Sequence, residues 1–237
     1  MIKFFRKIRQ NLITENNFSK YLFYAIGEII LVVIGILIAV QINDFKNTSV
    51  ENELEQNYLT NLIIELRQDS VGFTKNYREI KTQARTKSLF LDIIRGRNKS
   101  DSIIVFFEYQ WKPIQPYIPV KATFTEMSSS SHLRIIKNDM LREKIIKLYS
   151  SYEAFEKEET LLLQTSTQNI INRISQRIPD MSNYNTDDIM SLKSDNYLLN
   201  CIQLNGAYTR RDNYKEMIDR CTDLIKSIEQ YRLQKFR

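Results

Sequence analysis

Residues 21–42 read YLFYAIGEIILVVIGILIAVQI and carry a single charge, Glu28. An apolar stretch of this length matches the roughly 20 residues that an α-helix needs to cross a bilayer. Ten of the twelve residues at 29–40 are Ile, Leu or Val. Each favours insertion by about 0.3–0.6 kcal/mol, against a cost of about 2.5–3.5 kcal/mol for a central acidic residue, so the sum favours insertion. Glu28 lies nearer the amino end than the middle, where its carboxyl reaches the headgroups or takes up a proton at lower cost. A core helix of a soluble domain would show a polar face, which this stretch lacks. A cleaved secretory signal would show a short basic start and an A-x-A site. Here twenty residues precede the stretch, and Val40-Gln41-Ile42-Asn43 follows Ala39. The expectation is an uncleaved single span.

The flanks orient it. Lys3, Arg6, Lys7, Arg9 and Lys20 precede the stretch, whereas Lys46 is the one basic residue between Asn43 and Leu62, beside Asp44, Glu51, Glu53 and Glu55. The positive-inside rule then places the N-terminus in the cytoplasm and the remainder beyond the membrane, which for a bacterium is the inner membrane and the periplasm. The expected organisation is a basic arm at 1–20, a span at 21–42 and an extracytoplasmic domain at 43–237. Ile2, Phe5, Ile8 and Leu12 recur at helical spacing among the basic residues of the arm. That pattern reads either as an amphipathic helix on an anionic leaflet or as a plain topology signal. The formal net charge is +6; setting aside residues 1–20 and Glu28 removes five basic and two acidic groups and leaves +3. The basic balance is therefore largely topological and is a poor argument for a nucleic-acid partner, which needs a clustered basic face.

Five glycines and few strand signals point to an all-α fold. The pattern predicts an N-terminal transmembrane helix followed by a helical bundle with long coiled-coil-like helices. Leu59, Ile63, Leu66, Ser70, Phe73, Tyr77, Ile80, Ala84, Lys87, Leu91 and Ile94 alternate at steps of four and three, with Ser70 and Lys87 as misfits. This seam suits either a stalk or one helix of an antiparallel bundle. Gly96 and the polar residues after it end the helix. Short helices are expected around Ile103–Phe107 and Phe124–Ser130, separated by an irregular segment with Pro113, Pro116 and Pro119. Asn138 or Asp139 caps a second long helix that ends by Pro179. Residues 180–190 read as a polar loop. The last helix starts near Ser194 along Tyr197, Cys201, Leu204 and Tyr208, and shifts register near Gly206 into Tyr214, Met217, Cys221, Leu224, Ile228 and Tyr231.

Chemical signatures are sparse. His132 is the only histidine, and no phosphate-binding or dinucleotide loop occurs. No catalytic group, metal site or cofactor is assigned. Glu153, Glu156, Glu158 and Glu159 read as a solvated helix face in preference to an acid/base pair. On one helix, Cys201 and Cys221 would lie about 30 Å apart, beyond disulfide reach. Two buried, unpaired thiols are expected, unless a turn at Gly206 brings them together. Within the span, Glu28, Gly35 and Ala39 share a helical face, and Gly35-x-x-x-Ala39 is a small-xxx-small pattern that admits a neighbouring helix.

The opening MIKFFRKIRQNLITENNFSKYLFYAIGEIILVVIGILIAVQIND resembles a family of uncharacterised bacterial single-span membrane proteins with spans of the form YAIGEIxLVVIGILIAxQIN. Residues 123–142, TFTEMSSSSHLRIIKNDMLR, are similar to that family's pattern T-[YF]-x-E-L-x-S-S-G-x-L-x-L-I-x-N-x-x-L-R. Ser131 stands where glycine is usual and Met127 where leucine is usual, which weakens the argument that a glycine turn is required there. The resemblance implies an anchored helical domain and supplies no activity, cofactor or catalytic residue. In the second stretch, Glu126, Ser129 and Ser130 are expected to satisfy backbone groups at a helix–turn–helix junction, with Leu133 packing and Asn138 beginning the next helix. The alternative is a polar ligand pocket made by Glu126, Ser129, Ser130 and His132. The expected role is a membrane-anchored interaction or assembly protein whose partners are the lipid bilayer and a second copy or another membrane protein. A small-ligand sensor signalling through the span is the second reading.

Overall fold

The computed structural model describes residues 18–236 and is all-helical, with no strand among them. The basic arm, with Ile2, Phe5, Ile8 and Leu12, lies outside the described residues. Two compact units, Met1–Glu55 and Gln56–Arg237, divide the chain. Helix α1, Phe18–Ile94, contributes residues to both.

In the first unit, an 18-residue window of α1 has a mean hydropathy of 2.6 and none of it is buried. Ile29, Leu31, Ile36 and Ile42 each expose more than half of their surface. One helix is thus long and apolar enough, by length and composition, to cross a membrane.

The second unit closes a core around α1. Along the predicted seam, Leu59, Ile63, Leu66, Phe73, Ile80, Ala84, Lys87, Leu91 and Ile94 are buried, and Ser70 and Tyr77 are half-buried. The seam is therefore consumed inside the monomer. The Lys87 misfit is accommodated because its Nζ donates to the Gln203 carbonyl (3.0 Å) and to Asn205 Oδ1 (3.3 Å). α1 ends where Gly96 takes φ 75°, and the Arg97 and Asn98 N–H groups return to the Asp92 carbonyl.

Helix α2 (Ile103–Trp111) is followed by an extended segment, then by α3 (Ala122–Ser129) and a 3₁₀ turn, His132–Ile135. Helix α4, Asp139–Ser166, starts at Asn138, whose side chain accepts from the Leu141 N–H. It passes through a π turn, Thr167–Ile171, into the short α5, Asn172–Ser175. The expected polar loop at 180–190 contains a helix, α6 (Thr186–Ser191), started by a reciprocal capping box between Asn185 and Asp188. Helix α7, Asn196–Gln203, is capped by Asp195, which also pairs with Arg173 (2.7 Å) and Arg177 (3.2 Å). Gly206, at φ 73°, breaks the chain before α8, Ala207–Lys235, which packs along α4. This break overturns part of the predicted last seam. Tyr197, Leu204 and Tyr208 are exposed, because the core face of α7 is Leu198, Leu199 and Ile202.

Two interior regions result. Phe90, Ile94, Ile103, Phe107, Ile174, Ile189, Leu198 and Ile202 form a largely aliphatic apolar cluster. Around the middle of the bundle, Phe73 meets Tyr117, Phe155 and Tyr214 edge-on at 5.0–6.0 Å.

Candidate functional site

Successive residues on an α-helix turn by about 100°, so positions 28, 35 and 39 fall within an arc of about 40°. Glu28, Gly35 and Ala39 are all exposed, and a Cβ built on Gly35 meets nothing within 4 Å. They mark one open face of an apolar helix.

The junction residues come together in the second unit. Ser129 Oγ (3.1 Å) and Ser130 Oγ (2.6 Å) both donate to the Glu126 carbonyl at the end of α3, so the serines satisfy a backbone acceptor as expected. The Glu126 carboxylate does something else. It accepts from the buried Tyr58 hydroxyl of α1 (2.9 Å), and that hydroxyl lies 2.8 Å from His132 Nδ1. Tyrosine has one proton, and the carboxylate receives it, so Nδ1 is assigned as the donor in the second bond. Burial, reinforced by the Glu126 carboxylate, raises the Tyr58 pKa. Met127 is fully buried and Leu133 half-buried beneath the turn. Ser131 holds φ at 61°. The backbone there takes the left-handed form that favours glycine, although a serine occupies the position.

The dominant feature of the interior was missed from the sequence. Asp69, Asn76 and Gln83 recur every seven residues on α1 and are all buried. Together they hold the last turn of α2 and the proline-rich segment after it, which lacks regular backbone pairing of its own. Gln83 Nε2 donates to the Tyr109 carbonyl (2.8 Å) and Asn76 Nδ2 to the Gln115 carbonyl (2.7 Å). Asp69 Oδ1 accepts from the Val120 N–H (2.9 Å) and the Tyr117 hydroxyl (3.0 Å). From α8, Arg210 donates to the Ile114 carbonyl (3.0 Å), and the Tyr214 hydroxyl accepts from the Tyr117 N–H (3.1 Å). Gly72 lets this segment, the strap at 112–121 between α2 and α3, approach: a Cβ there would lie 2.1 Å from the Tyr117 ring. Glu65, four residues before Asp69, accepts from Thr123 N–H (3.0 Å) and Oγ1 (2.7 Å) and so caps the start of α3 from a neighbouring helix. Polar residues at heptad spacing inside an apolar seam, next to a segment short of backbone partners, were the available signal.

Asp69 Oδ2 also accepts from the Tyr152 hydroxyl (2.9 Å), which contacts Cys221 Sγ at 3.0 Å. Burial raises the Asp69 pKa, opposed by these donors. Burial likewise pushes the Cys221 thiol up to about 12, which makes it a poor nucleophile. Cys201 and Cys221 are both free thiols, even though the turn at Gly206 is present; Cys221 is buried, whereas Cys201 is only half-buried. The acidic run divides. Glu153 and Glu158 are exposed, Glu156 pairs with Lys121 (2.5 Å), and Glu159 is fully buried. Glu159 forms a buried ion pair with Arg210 (2.9 Å), so it is not part of a solvated face. Arg210 on α8 supplies the charge that permits its burial.

An open groove of about 740 Å³ lies between α1, α2 and the strap, lined by Lys75, Asn76, Glu79, Glu108, Tyr109 and Lys112 among others. The model of a family of unknown function, DUF6090, matches residues 28–162. That match covers the apolar stretch from Glu28 onward, the polar heptad, the strap and the junction. No curated protein and no solved structure matches the chain.

Proposed function

The chain belongs to the DUF6090 family of unknown function, and on that premise we propose that it is a membrane-anchored helical assembly protein. The wholly exposed apolar helix of the first unit carries this reading. A soluble chain would bury such a surface, whereas a lipid bilayer solvates it. The charge asymmetry of the flanks supports a single pass through the inner membrane, with the arm in the cytoplasm and residues 43–237 in the periplasm. The bilayer is the first partner, and a second copy, or another membrane protein, is the other. Because the seam of α1 is consumed within the second unit, self-association falls to the face of Glu28, Gly35 and Ala39.

Two measurements test this. A periplasm-dependent reporter enzyme fused after Arg237 is expected to be active, and the protein is expected to stay with the membrane on carbonate extraction; activity confined to the cytosol, or release by carbonate, overturns the reading. Gly35→Ile is expected to reduce in-membrane crosslinking between copies. An unchanged crosslinking yield would assign the second partner to a different protein.

The groove beside the strap supports a second reading, a small-ligand sensor. Its lysines and carboxylates suit a zwitterionic ligand. Equal chemical shifts for Tyr109 and Lys112 with and without an amino-acid mixture would remove that alternative.

A further inference from the structure

Asn205 and Gly206 form the chain's one Asn-Gly step. Their setting is unusual in three respects. First, Asn205 Oδ1 receives two donors, Lys87 Nζ (3.3 Å) and the Ala207 N–H (3.1 Å). Second, among the described residues the Gly206 N–H donates to no group, and Gly206 holds φ at 73°. Third, Lys87 is buried with no carboxylate partner among the described residues. Its ammonium meets only the Gln203 carbonyl, Asn205 Oδ1 and the face of Tyr208, 4.3 Å from the ring centroid.

An asparagine followed by glycine reacts internally. The deprotonated glycine nitrogen attacks the side-chain Cγ and forms an N–Cγ bond. The Cγ–Nδ2 bond breaks and ammonia leaves. Water then opens the five-membered imide to aspartate or to its β-linked isomer, each with a new carboxylate. Negative charge grows on Oδ1 during the attack, where a cation and a backbone N–H already point, the arrangement that stabilises an oxyanion. Glycine lacks the Cβ that would shield its nitrogen. Asn205 also lines a groove of about 330 Å³ between the π turn and α7.

We propose that Asn205 is a site of spontaneous conversion to aspartate, and that the product carboxylate supplies the counter-charge that the buried Lys87 ammonium lacks. The conversion turns a hydrogen-bonded lysine into a buried ion pair that ties α1 to the turn between α7 and α8. A neutral cation-binding turn becomes a charged one as the protein ages.

The test uses the full chain in detergent, aged in mildly alkaline buffer and mapped by peptide mass spectrometry. The first asparagine to gain one mass unit is expected to be Asn205, and Lys87→Met is expected to slow that gain severalfold. Conversion at another asparagine first, or an unchanged rate at Asn205 in a folded Lys87→Met protein, overturns the proposal. A second arm does not depend on that variant: Asn205→Asp is expected to raise the thermal midpoint at neutral pH and to lose the gain as acid protonates the new carboxylate. A midpoint below that of the unmodified chain at neutral pH overturns the ion-pair half.

Discussion

Ser131 is the one non-glycine residue with positive φ among those described. The left-handed conformation costs an L-residue roughly 1–2 kcal/mol relative to the right-handed one, and glycine escapes that cost. Ser131→Gly is therefore expected to stabilise the second unit by about 0.5–1 kcal/mol after the added chain entropy of glycine is deducted, read from denaturant midpoints. A destabilised variant would mean that the serine side chain contributes more than its strain. Asp69 makes a pH prediction. Its folded-state pKa lies above the ordinary carboxylate value, so the folded chain holds the proton more tightly than the unfolded chain does. That stabilisation is complete below the ordinary carboxylate pKa and is lost as pH rises through the raised folded value. Asp69→Asn keeps an acceptor for Tyr117 and Val120, and its amide can donate to Tyr152. The variant is expected to gain stability relative to the parent as pH rises from acid toward neutral. Unfolding curves that stay a constant distance apart across that range would rule this out.

At the scale of elements, the strap and α1 are matched through Gly72 and Tyr117. The ring occupies the space of the missing Cβ, and its hydroxyl reaches Asp69. Gly72→Ala must expel the ring, an overpacking cost of about 1–3 kcal/mol that outweighs the helix propensity gained. Tyr117→Leu in the same chain should recover part of that loss; no recovery would place the strain elsewhere. The α4–α8 pairing carries the buried Glu159–Arg210 pair. Arg210→Met leaves an unpaired buried carboxylate and frees the Ile114 carbonyl, with an expected loss of about 3–5 kcal/mol. Adding Glu159→Leu should return much of it, and the double-mutant cycle measures how much.

At the scale of the molecule, the hydrophobic core lies within Gln56–Arg237, and the continuous exposed apolar helix lies within Met1–Glu55. A chain shortened to residues 43–237 should consequently remain in solution without detergent and unfold in one cooperative transition. Loss of that transition would mean that the second unit depends on the first.

The all-α class, the apolar stretch, the caps at Asn138 and Gly96 and the seam of α1 were legible from residues alone. Each depends on local periodicity or on a residue's own backbone preference, quantities that a linear chain carries openly. The fates of Asp69, Glu159, Lys87 and Glu126 were not legible. Whether a charged side chain is solvated or buried is decided by a partner far along the chain. Arg210 lies 51 residues from Glu159, and Tyr58 lies 68 from Glu126. The heptad spacing marked Asp69, Asn76 and Gln83 as aligned, but only the folded chain brings the strap to them. Desolvation and pairing energies depend on distances through space, and those distances exist only once the helices have packed.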